Sequence, residues 1–190
     1  TAVCCLSSLN LEKYDEWKDD PNMIGDVMRF LDNVLSDFIN KAPDQFKDAK
    51  YSAERERSVG LGVMGFHSFL QKHRIPLESV MAKSWNKKIF KQIDEQVNQA
   101  SKDLAEERGA CPDAAEYGFK ERFSNKTAIA PTASISIICG GASPGVEPIA
   151  ANSYTHKTLS GSFNVRNRYL EEILEGHGKN DDETWSTITT

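Results

Sequence analysis

Apolar residues in this chain are grouped into one short run at the start and several stretches with helical spacing after it. Residues 1–11, TAVCCLSSLNL, are mostly apolar, contain β-branched residues and are followed by a polar stretch, which is typical of a short buried strand. Side chains alternate between the two faces of a strand, so Cys4 and Cys5 are predicted to point in opposite directions.

Two long helices are predicted from apolar residues that recur every three or four positions. The first follows Asp20, a suitable N-cap, and Pro21, a suitable first-turn residue, and it ends before Pro43. The second covers residues 77–108, and Gly109 is a natural stop. The apolar stripe of the first comprises Ile24, Val27, Met28, Leu31, Val34, Leu35 and Phe38, and that of the second comprises Met81, Trp85, Ile89, Ile93, Val97, Ala100 and Leu104.

Another helix is predicted between these two, over residues 54–73. It contains GLGVMG at residues 60–65, which matches the letters of the GxGxxG dinucleotide-binding motif. That motif has to follow a strand, whereas the preceding residues here, SAERERS, are polar and helix-like. The glycines are therefore interpreted as positions where this helix packs closely on a neighbour.

The chain changes character after residue 125. KTAIAP, residues 126–131, is predicted to be a short strand that leads into a loop, APTASISIICGGASPG, residues 130–145. Residues 145–167 mix short apolar and polar pieces and are predicted to form strands. RNRYLEEILEGHG, residues 166–178, is predicted to be a helix, and the last dozen residues a loop. This order of elements favours part of an α/β fold.

Composition narrows the class of protein. The chain has 190 residues, 39% hydrophobic and 27% charged, with a net charge of −5, which is typical of one globular domain or a large piece of one. There is no basic run, so we expect no nucleic-acid partner. No apolar run in the sequence approaches the ~18 residues of a membrane span, and no signal peptide opens it, so we expect a cytoplasmic protein with no membrane partner.

The loop at residues 130–145 is the strongest candidate for chemistry. Its residues are small and uncharged, and hydroxyls stand at Thr132, Ser134 and Ser136. Free N–H groups and hydroxyls that follow a strand and precede a helix start can hold an anion without a fixed positive charge. The alternative is a tight turn in which these hydroxyls bond to their own backbone.

The cysteines give weaker signals. None forms a CxxC pair or has zinc-finger spacing to a histidine, so no metal site is expected. One of Cys4 and Cys5 could line a site, or both could be buried as small apolar residues. Cys111 is interpreted as structural, and Cys139 lacks a neighbouring base that would make it a nucleophile. Three other polar residues are weak candidates for ligand contacts: Glu147, His156 and Lys157.

Several segments, taken together and in order, resemble the catalytic large subunit of class I ribonucleotide reductase of the bacterial and phage kind. They are AVCCLSSLNL, RSVGLGVMGFHSFL, EERGACPDA, KNDDETWS and the long stretch from KTAIAP to SFNVRN. The resemblance covers essentially all 190 residues, and its most specific part is the segment 128–167. It implies an α/β fold, part of the ten-stranded α/β barrel of that subunit.

The resemblance also implies an enzyme and its site residues. The family reduces ribonucleoside diphosphates to deoxyribonucleotides by a thiyl-radical mechanism, in which two further cysteines supply electrons and become a disulfide. Cys4 matches the second of these redox cysteines, and Cys5 matches no catalytic position. The loop that binds the substrate diphosphate is matched by Pro131, Thr132, Ala133, Ser134, Ile135 and Ser136. Ala133 and Ile135 replace polar residues of some relatives, which leaves backbone contacts unaffected.

Other parts of such an enzyme have no match in residues 1–190, which are interpreted as an incomplete segment of the catalytic barrel domain. The N-terminal ATP-binding region, the finger loop with the radical cysteine and the C-terminal tail are absent, so ATP and dNTP effectors are expected to bind outside this chain. A separate small subunit is expected to hold the dimetal radical centre, and no cofactor is expected on this segment. The remaining pieces of the large subunit and thioredoxin or glutaredoxin are expected partners, and the chain alone is expected to be inactive.

Two alternatives stay open. The segment could belong to an adenosylcobalamin-dependent, class II reductase, which shares the barrel and much of the loop. THKTLSGSF, residues 155–163, favours class I by resemblance. The segment could also be a non-catalytic remnant that binds phosphate or only assembles with a partner.

Overall fold

Two parallel strands lie at the centre of the computed structural model, which describes residues 3, 5–159 and 161–189. Strand β1 (Cys5–Asn10) pairs with strand β2 (Val59–Met64), in a register that places Cys5 opposite Val59 and Asn10 opposite Met64. Parallel strands need a crossover connection, and helices supply it here. The predicted strand at the start of the chain is confirmed over the described residues of β1.

The crossover contains three helices: α1 (Tyr14–Trp17), α2 (Met23–Lys41) and α3 (Lys47–Glu56). The predicted apolar stripe of α2 is largely confirmed, although Val34 is 40% exposed. The predicted start is two residues early, because Asp20 caps a turn before the helix: its carboxylate accepts the N–H of Asn22 at 2.9 Å. The stripe positions that are fully buried are Ile24, Met28, Leu31 and Leu35.

The helix predicted over residues 54–73 is wrong. Helix α3 ends at Arg57, whose φ of 44° is left-handed, and helix α4 (Phe66–Lys72) begins only after Gly65. GLGVMG belongs to β2 and the turn that follows it, and all six residues of β2 are buried. A parallel strand that is covered on both faces has no polar alternation in its sequence, so its pattern does not distinguish it from a buried helix.

The prediction that glycines in this segment allow close packing is confirmed, but the packing involves strand β2 and not a helix. The chain at residues 125–128 runs beside β2: the Val59 N–H donates to the Asn125 carbonyl at 3.0 Å, and the Ala128 N–H donates to the Leu61 carbonyl at 3.2 Å. The predicted short strand here is present as a single parallel bridge between Leu61 and Thr127. A β-carbon at position 62 would lie 2.0 Å from the Ala128 carbonyl oxygen, which explains the glycine.

Gly62→Ala is therefore expected to destabilise the protein by about 3 kcal/mol, the upper end of what overpacking costs. The obstacle is backbone, which cannot rotate away as a side chain does. Gly25→Ala in α2 is the matched control, because nothing lies within 4 Å of its added β-carbon, and a helical alanine should stabilise by up to about 1 kcal/mol. Urea denaturation followed by circular dichroism measures both. Equal midpoints for the two variants would contradict the close approach.

Helix α5 (Val80–Arg108) is the longest described helix and packs against α2. Ser79 caps it by accepting the Ala82 N–H at 3.1 Å, and Gly109, with a φ of 90°, ends it as predicted. The predicted start is three residues early, and Met81 is 57% exposed. The remaining stripe faces the core, where the fully buried residues include Tyr14, Leu61, Val63, Phe69, Ile89 and Val97.

The second half of the chain has less regular structure. Its elements are α6 (Pro112–Glu116), α7 (Ile135–Ile138), an antiparallel hairpin of β3 (Ser153–Thr158) and β4 (Gly161–Arg166), α8 (Arg168–Gly176) and α9 (Asp182–Thr189). The hairpin confirms the strands predicted within residues 145–167, and α8 confirms the helix predicted over residues 166–178. The loop predicted for the last dozen residues is wrong, because Trp185 buries one face of α9. None of the described helices combines the length and hydropathy that crossing a bilayer requires.

Candidate functional site

The carboxyl ends of β1 and β2 both meet the segment 129–149. Asn10, the last residue of β1, donates from Nδ2 to the Cys139 carbonyl at 3.4 Å. Gly65, just after β2, donates its N–H to the Ser143 carbonyl at 2.7 Å. Ligands of α/β sheets bind in the crevice outside the carboxyl ends of the strands, so this segment occupies the expected position for a binding loop.

Residues 131–136 form a tight turn that ends in α7. Thr132 adopts a left-handed φ of 52°, which a threonine holds only when its surroundings fix it. Its hydroxyl accepts the N–H of Gly145 at 2.8 Å, and its carbonyl accepts the N–H of Ser136 at 3.0 Å. The hydrogen bond to Gly145 thereby ties the start of the turn to the end of the same loop.

The three hydroxyls of the turn point in different directions. Thr132 and Ser136 are buried, and the Ser136 hydroxyl donates to the Ala133 carbonyl at 3.4 Å. Ser134 is exposed. The alternative of hydroxyls that bond to their own loop is therefore confirmed for Thr132 and Ser136, and Ser134 is the hydroxyl that faces outward.

The exposed side of the turn is a row of backbone groups. Ala133, Ser134 and Ile135 are exposed, and among the described residues no acceptor takes their N–H groups. Pro131 precedes them, is also exposed and has no N–H to offer. Three successive amides at the start of a helical turn form a partially positive surface, which suits an anion.

Two buried serines join this loop to helix α4. The Ser143 N–H donates to the Ser68 hydroxyl at 2.8 Å, and the Ser68 N–H donates to the Ser143 hydroxyl at 3.1 Å. Their exposures are 0% for Ser143 and 2% for Ser68. Sequence reasoning missed this pair, because the two serines are 75 positions apart and nothing local links them.

A charged cluster lies beside the loop, where α8 begins. Arg168 pairs with Glu12 and donates from Nη1 to the Gly140 carbonyl at 2.9 Å. Burial and a hydrogen bond to the Glu12 carboxylate raise the pKa of Tyr169 to about 12, so its hydroxyl is neutral near pH 7. A cleft of about 230 Å³ opens here, lined by Gly140, Arg168 and Tyr169 among others. Sequence analysis did not select these residues.

The weaker candidates do not join the turn. Glu147 is exposed just after the loop, and His156 and Lys157 lie on β3, opposite Phe163 and Ser162 of β4. The histidine that does contact the segment is His67, whose Nδ1 accepts the Ile149 N–H at 3.2 Å. Burial lowers the pKa of His67, which favours its neutral form.

The cysteine predictions have mixed outcomes. Cys4 lies outside the described residues. Cys5 is half-buried in β1, Cys111 is fully buried, which is consistent with a structural role, and Cys139 is exposed. The described part of the chain brings no three His, Cys, Asp or Glu side chains into an arrangement that could hold a metal ion.

Parallel strands, a helical crossover and a loop at the strand ends define an α/β protein whose loop lies at the edge where such folds bind ligands. Within that class, the chain belongs to the ribonucleotide reductase family, because the family described as "Ribonucleotide reductase, barrel domain" matches residues 1–121 and 113–190. The prediction of a barrel-domain fragment of this family is confirmed.

Relatives and a solved structure agree with this assignment. The chain is 50% identical to a ribonucleoside-diphosphate reductase large subunit of Invertebrate iridescent virus 6, over 100% of the chain and 20% of the relative. It is 38% identical to a vitamin B12-dependent ribonucleoside-diphosphate reductase of Thermoplasma acidophilum, over 83% of the chain and 21% of that protein. The class Id ribonucleotide reductase alpha subunit of Actinobacillus ureae superposes with a TM-score of 0.86 at 38% identity, covering 98% of the chain and 34% of that subunit. The chain thus spans about a fifth to a third of these proteins.

Proposed function

We propose that this chain is the part of a ribonucleoside-diphosphate reductase large subunit that holds the substrate diphosphate and supplies one of the two reducing thiols. The observation that carries the proposal is the turn at residues 131–136. The N–H groups of its exposed residues Ala133, Ser134 and Ile135 have no acceptor among the described residues, and the loop that carries the turn meets the carboxyl ends of two parallel strands. Membership in the reductase family supports the choice of a nucleoside diphosphate as the anion.

The turn would bind the diphosphate mainly through backbone. Three N–H groups and the Ser134 hydroxyl are available as donors to phosphate oxygens. Short side chains at Ala133 and Ser134 let a ligand approach the main chain closely. The Thr132 and Ser136 hydroxyls, which are buried, would shape the turn rather than contact the ligand.

Cys4 is proposed as the redox cysteine. Replacing the ribose hydroxyl by hydrogen needs two electrons and two protons, which two thiols supply when they become a disulfide, and the hydroxyl leaves as water. The second thiol and the radical cysteine would come from parts of the large subunit outside residues 1–190. Thioredoxin or glutaredoxin would then reduce the disulfide, and a small subunit would generate the radical.

The radical source has an alternative, since a vitamin B12-dependent reductase is among the relatives. The higher identity of a relative without that designation favours the class I arrangement. Adding either adenosylcobalamin or the small subunit to the complete large subunit separates the two. A remnant that only binds phosphate would be active with neither.

Ser134→Asp in the complete reductase tests the phosphate site. Ser134 is exposed and its side chain makes no capping hydrogen bond, so aspartate has room there and folding should be retained. Its charge would repel the diphosphate, and a like charge within a few ångströms at a protein surface is worth about 1–4 kcal/mol, so the KM for the nucleoside diphosphate should rise ~10-fold or more. Formation of deoxynucleoside diphosphate at varied substrate concentration measures it.

Ser134→Asn is the matched control, because asparagine is close to aspartate in size but carries no charge. Its KM should stay within about threefold of the wild-type value, which corresponds to roughly 0.7 kcal/mol. An unchanged KM in the aspartate variant would rule out diphosphate binding at this turn.

A further inference from the structure

We propose that Ser68 and Ser143 are positioning residues that hold the phosphate-binding turn in place by capping helix α4 from the loop. The inference rests on the proposed function, since it takes the turn at residues 131–136 as the diphosphate site. Neither serine touches the exposed side of the turn. Both act through hydrogen bonds that link the loop to helix α4, which follows β2 in the chain.

Helix α4 has no cap of its own. Its N-cap position is Gly65, which has a left-handed φ of 77° and no side chain to accept a hydrogen bond. A β-carbon there would lie 2.8 Å from the Asn10 side-chain oxygen and 3.1 Å from the Glu12 nitrogen, so the site has no room for a capping side chain. The free N–H groups of the first turn of α4 therefore need partners from elsewhere.

Ser143 supplies the cap from a distant part of the chain. In a capping box, the cap serine accepts the N–H of the third helical residue, whose side chain reaches back to the N–H of the cap. Ser68 is the third residue of α4, and it makes both of these bonds with Ser143. The Ser143 carbonyl also accepts the Gly65 N–H at 2.7 Å. The box is thus complete, with its cap residue contributed by the loop.

The capping box continues to the phosphate-binding turn. Gly145, two residues after Ser143, donates its N–H to the Thr132 hydroxyl at 2.8 Å, and its carbonyl accepts the Phe66 N–H at 3.5 Å. Thr132 in turn holds the N–H of Ser136, which is part of the first turn of α7. A shift of Ser143 would therefore displace Gly145, which holds Thr132, and so move the turn relative to the carboxyl ends of β1 and β2.

Removing these hydrogen bonds is expected to change the KM for the diphosphate substrate and not kcat. Loss of either serine bond should loosen the turn and weaken the hold on phosphate, while the reacting end of the substrate keeps its environment. If the penalty of leaving a buried N–H without an acceptor falls on substrate binding, the affinity decreases roughly 5- to 150-fold. We expect a KM effect for the diphosphate substrate in the middle of this range and little change in kcat.

The experiment uses the complete reductase carrying Ser143→Ala or Ser68→Ala. Each should raise the KM for the nucleoside diphosphate ~10-fold with kcat within about twofold. The double variant should raise it far less than the product of the two, because the serines belong to one hydrogen-bonded unit. Equilibrium binding of the corresponding nucleoside, which lacks phosphates, should be unchanged in all three.

Ser101→Ala is the matched control. Ser101 is 0% exposed, and its hydroxyl accepts the Arg122 N–H at 3.1 Å, so the substitution removes the same kind of buried bond from helix α5. It should lower the thermal midpoint about as much as Ser143→Ala and leave the KM unchanged. A comparable KM increase in Ser101→Ala would overturn positioning in favour of general destabilisation.

The remaining outcomes separate this proposal from the proposed function. If Ser134→Asp raises the KM but Ser68→Ala and Ser143→Ala do not, the turn binds phosphate and the positioning role is wrong. If Ser134→Asp has no effect, the proposed function itself fails. Ser68→Ala keeps the Ser143 hydroxyl as a cap, so it remains measurable if Ser143→Ala does not fold.

Discussion

A Cys4→Ser variant of the complete reductase is expected to show no sustained turnover, whereas Cys5→Ser continues to form product. The first substitution removes one of the two proposed reducing thiols. A serine hydroxyl cannot form a disulfide, so the two-electron step has no donor pair at this position. Deoxynucleotide formed per active site, measured with excess thioredoxin and its reductase, distinguishes repeated turnover from none.

Cys5→Ser is the matched control, since it makes the same chemical change one residue away. The sequence predicts that Cys4 and Cys5 point in opposite directions, and Cys5 packs beside the core, opposite Val59. Its replacement should lower stability slightly and leave repeated turnover intact. Many turnovers by Cys4→Ser, or an equally inactive Cys5→Ser, would show that the redox role has been assigned to the wrong residue.

Asp32→Asn is expected to destabilise the protein by about 3–5 kcal/mol, the range found when one partner of a buried ion pair is removed. Asp32 lies in α2 with an exposure of 0%. Three guanidinium groups donate to its carboxylate within 3.0 Å, those of Arg57, Arg108 and Arg122. An asparagine would leave these charges without a counter-charge and would direct N–H groups at them.

The location of this cluster explains why its loss should matter beyond α2. Arg57 ends α3, Arg108 ends α5, and Arg122 also donates to the Gly109 carbonyl at 2.9 Å. One carboxylate thus ties the ends of two helices to the segment that leads into residues 125–128 beside β2. Urea denaturation should show the loss as a lower midpoint.

In the wild-type protein, acid should remove the stabilisation that the Asp32 carboxylate provides. Burial by itself would raise the pKa of Asp32, but the hydrogen bonds from Arg122, Arg108 and Arg57 outweigh it and lower the pKa below 3.8. A lowered pKa in the folded state means that the stabilisation is present above pH 3.8 and is lost as the pH falls through the folded value. The difference in the free energy of unfolding between wild type and Asp32→Asn should therefore disappear only in strong acid.

Asp37→Asn provides the comparison on the same helix. Asp37 pairs with Lys41 at 2.7 Å, but both side chains are more than half exposed. Exposed pairs of this kind contribute about 0.5 kcal/mol or less, so its midpoint should hardly change. A small effect at Asp32 as well would show that the guanidinium groups find other partners or water.

Periodicity predicted those elements whose environment differs between two faces. Helices α2, α5 and α8 have one apolar and one polar side, and their stripes are visible in the sequence. Strand β2 has no polar side, since its neighbours cover both faces and both edges, and so its six residues were assigned to a helix. Helix α9 was missed for the opposite reason, because its only apolar residues are Trp185, which is buried, and Ile188, which is half-buried, and two residues are too few to show a stripe.

The sequence by itself determined the helices that carry a clear apolar stripe, the stop at Gly109, and a small, uncharged loop that resembles a diphosphate site. These depend on neighbours within a few positions, or on segments long enough to resemble a family. Only the tertiary structure decided which hydroxyls of that loop turn inward, that Ser143 caps α4, and that three arginines surround Asp32. Each of these depends on groups brought together from far along the chain, where hydrogen bonds and burial, not local spacing, select the partner.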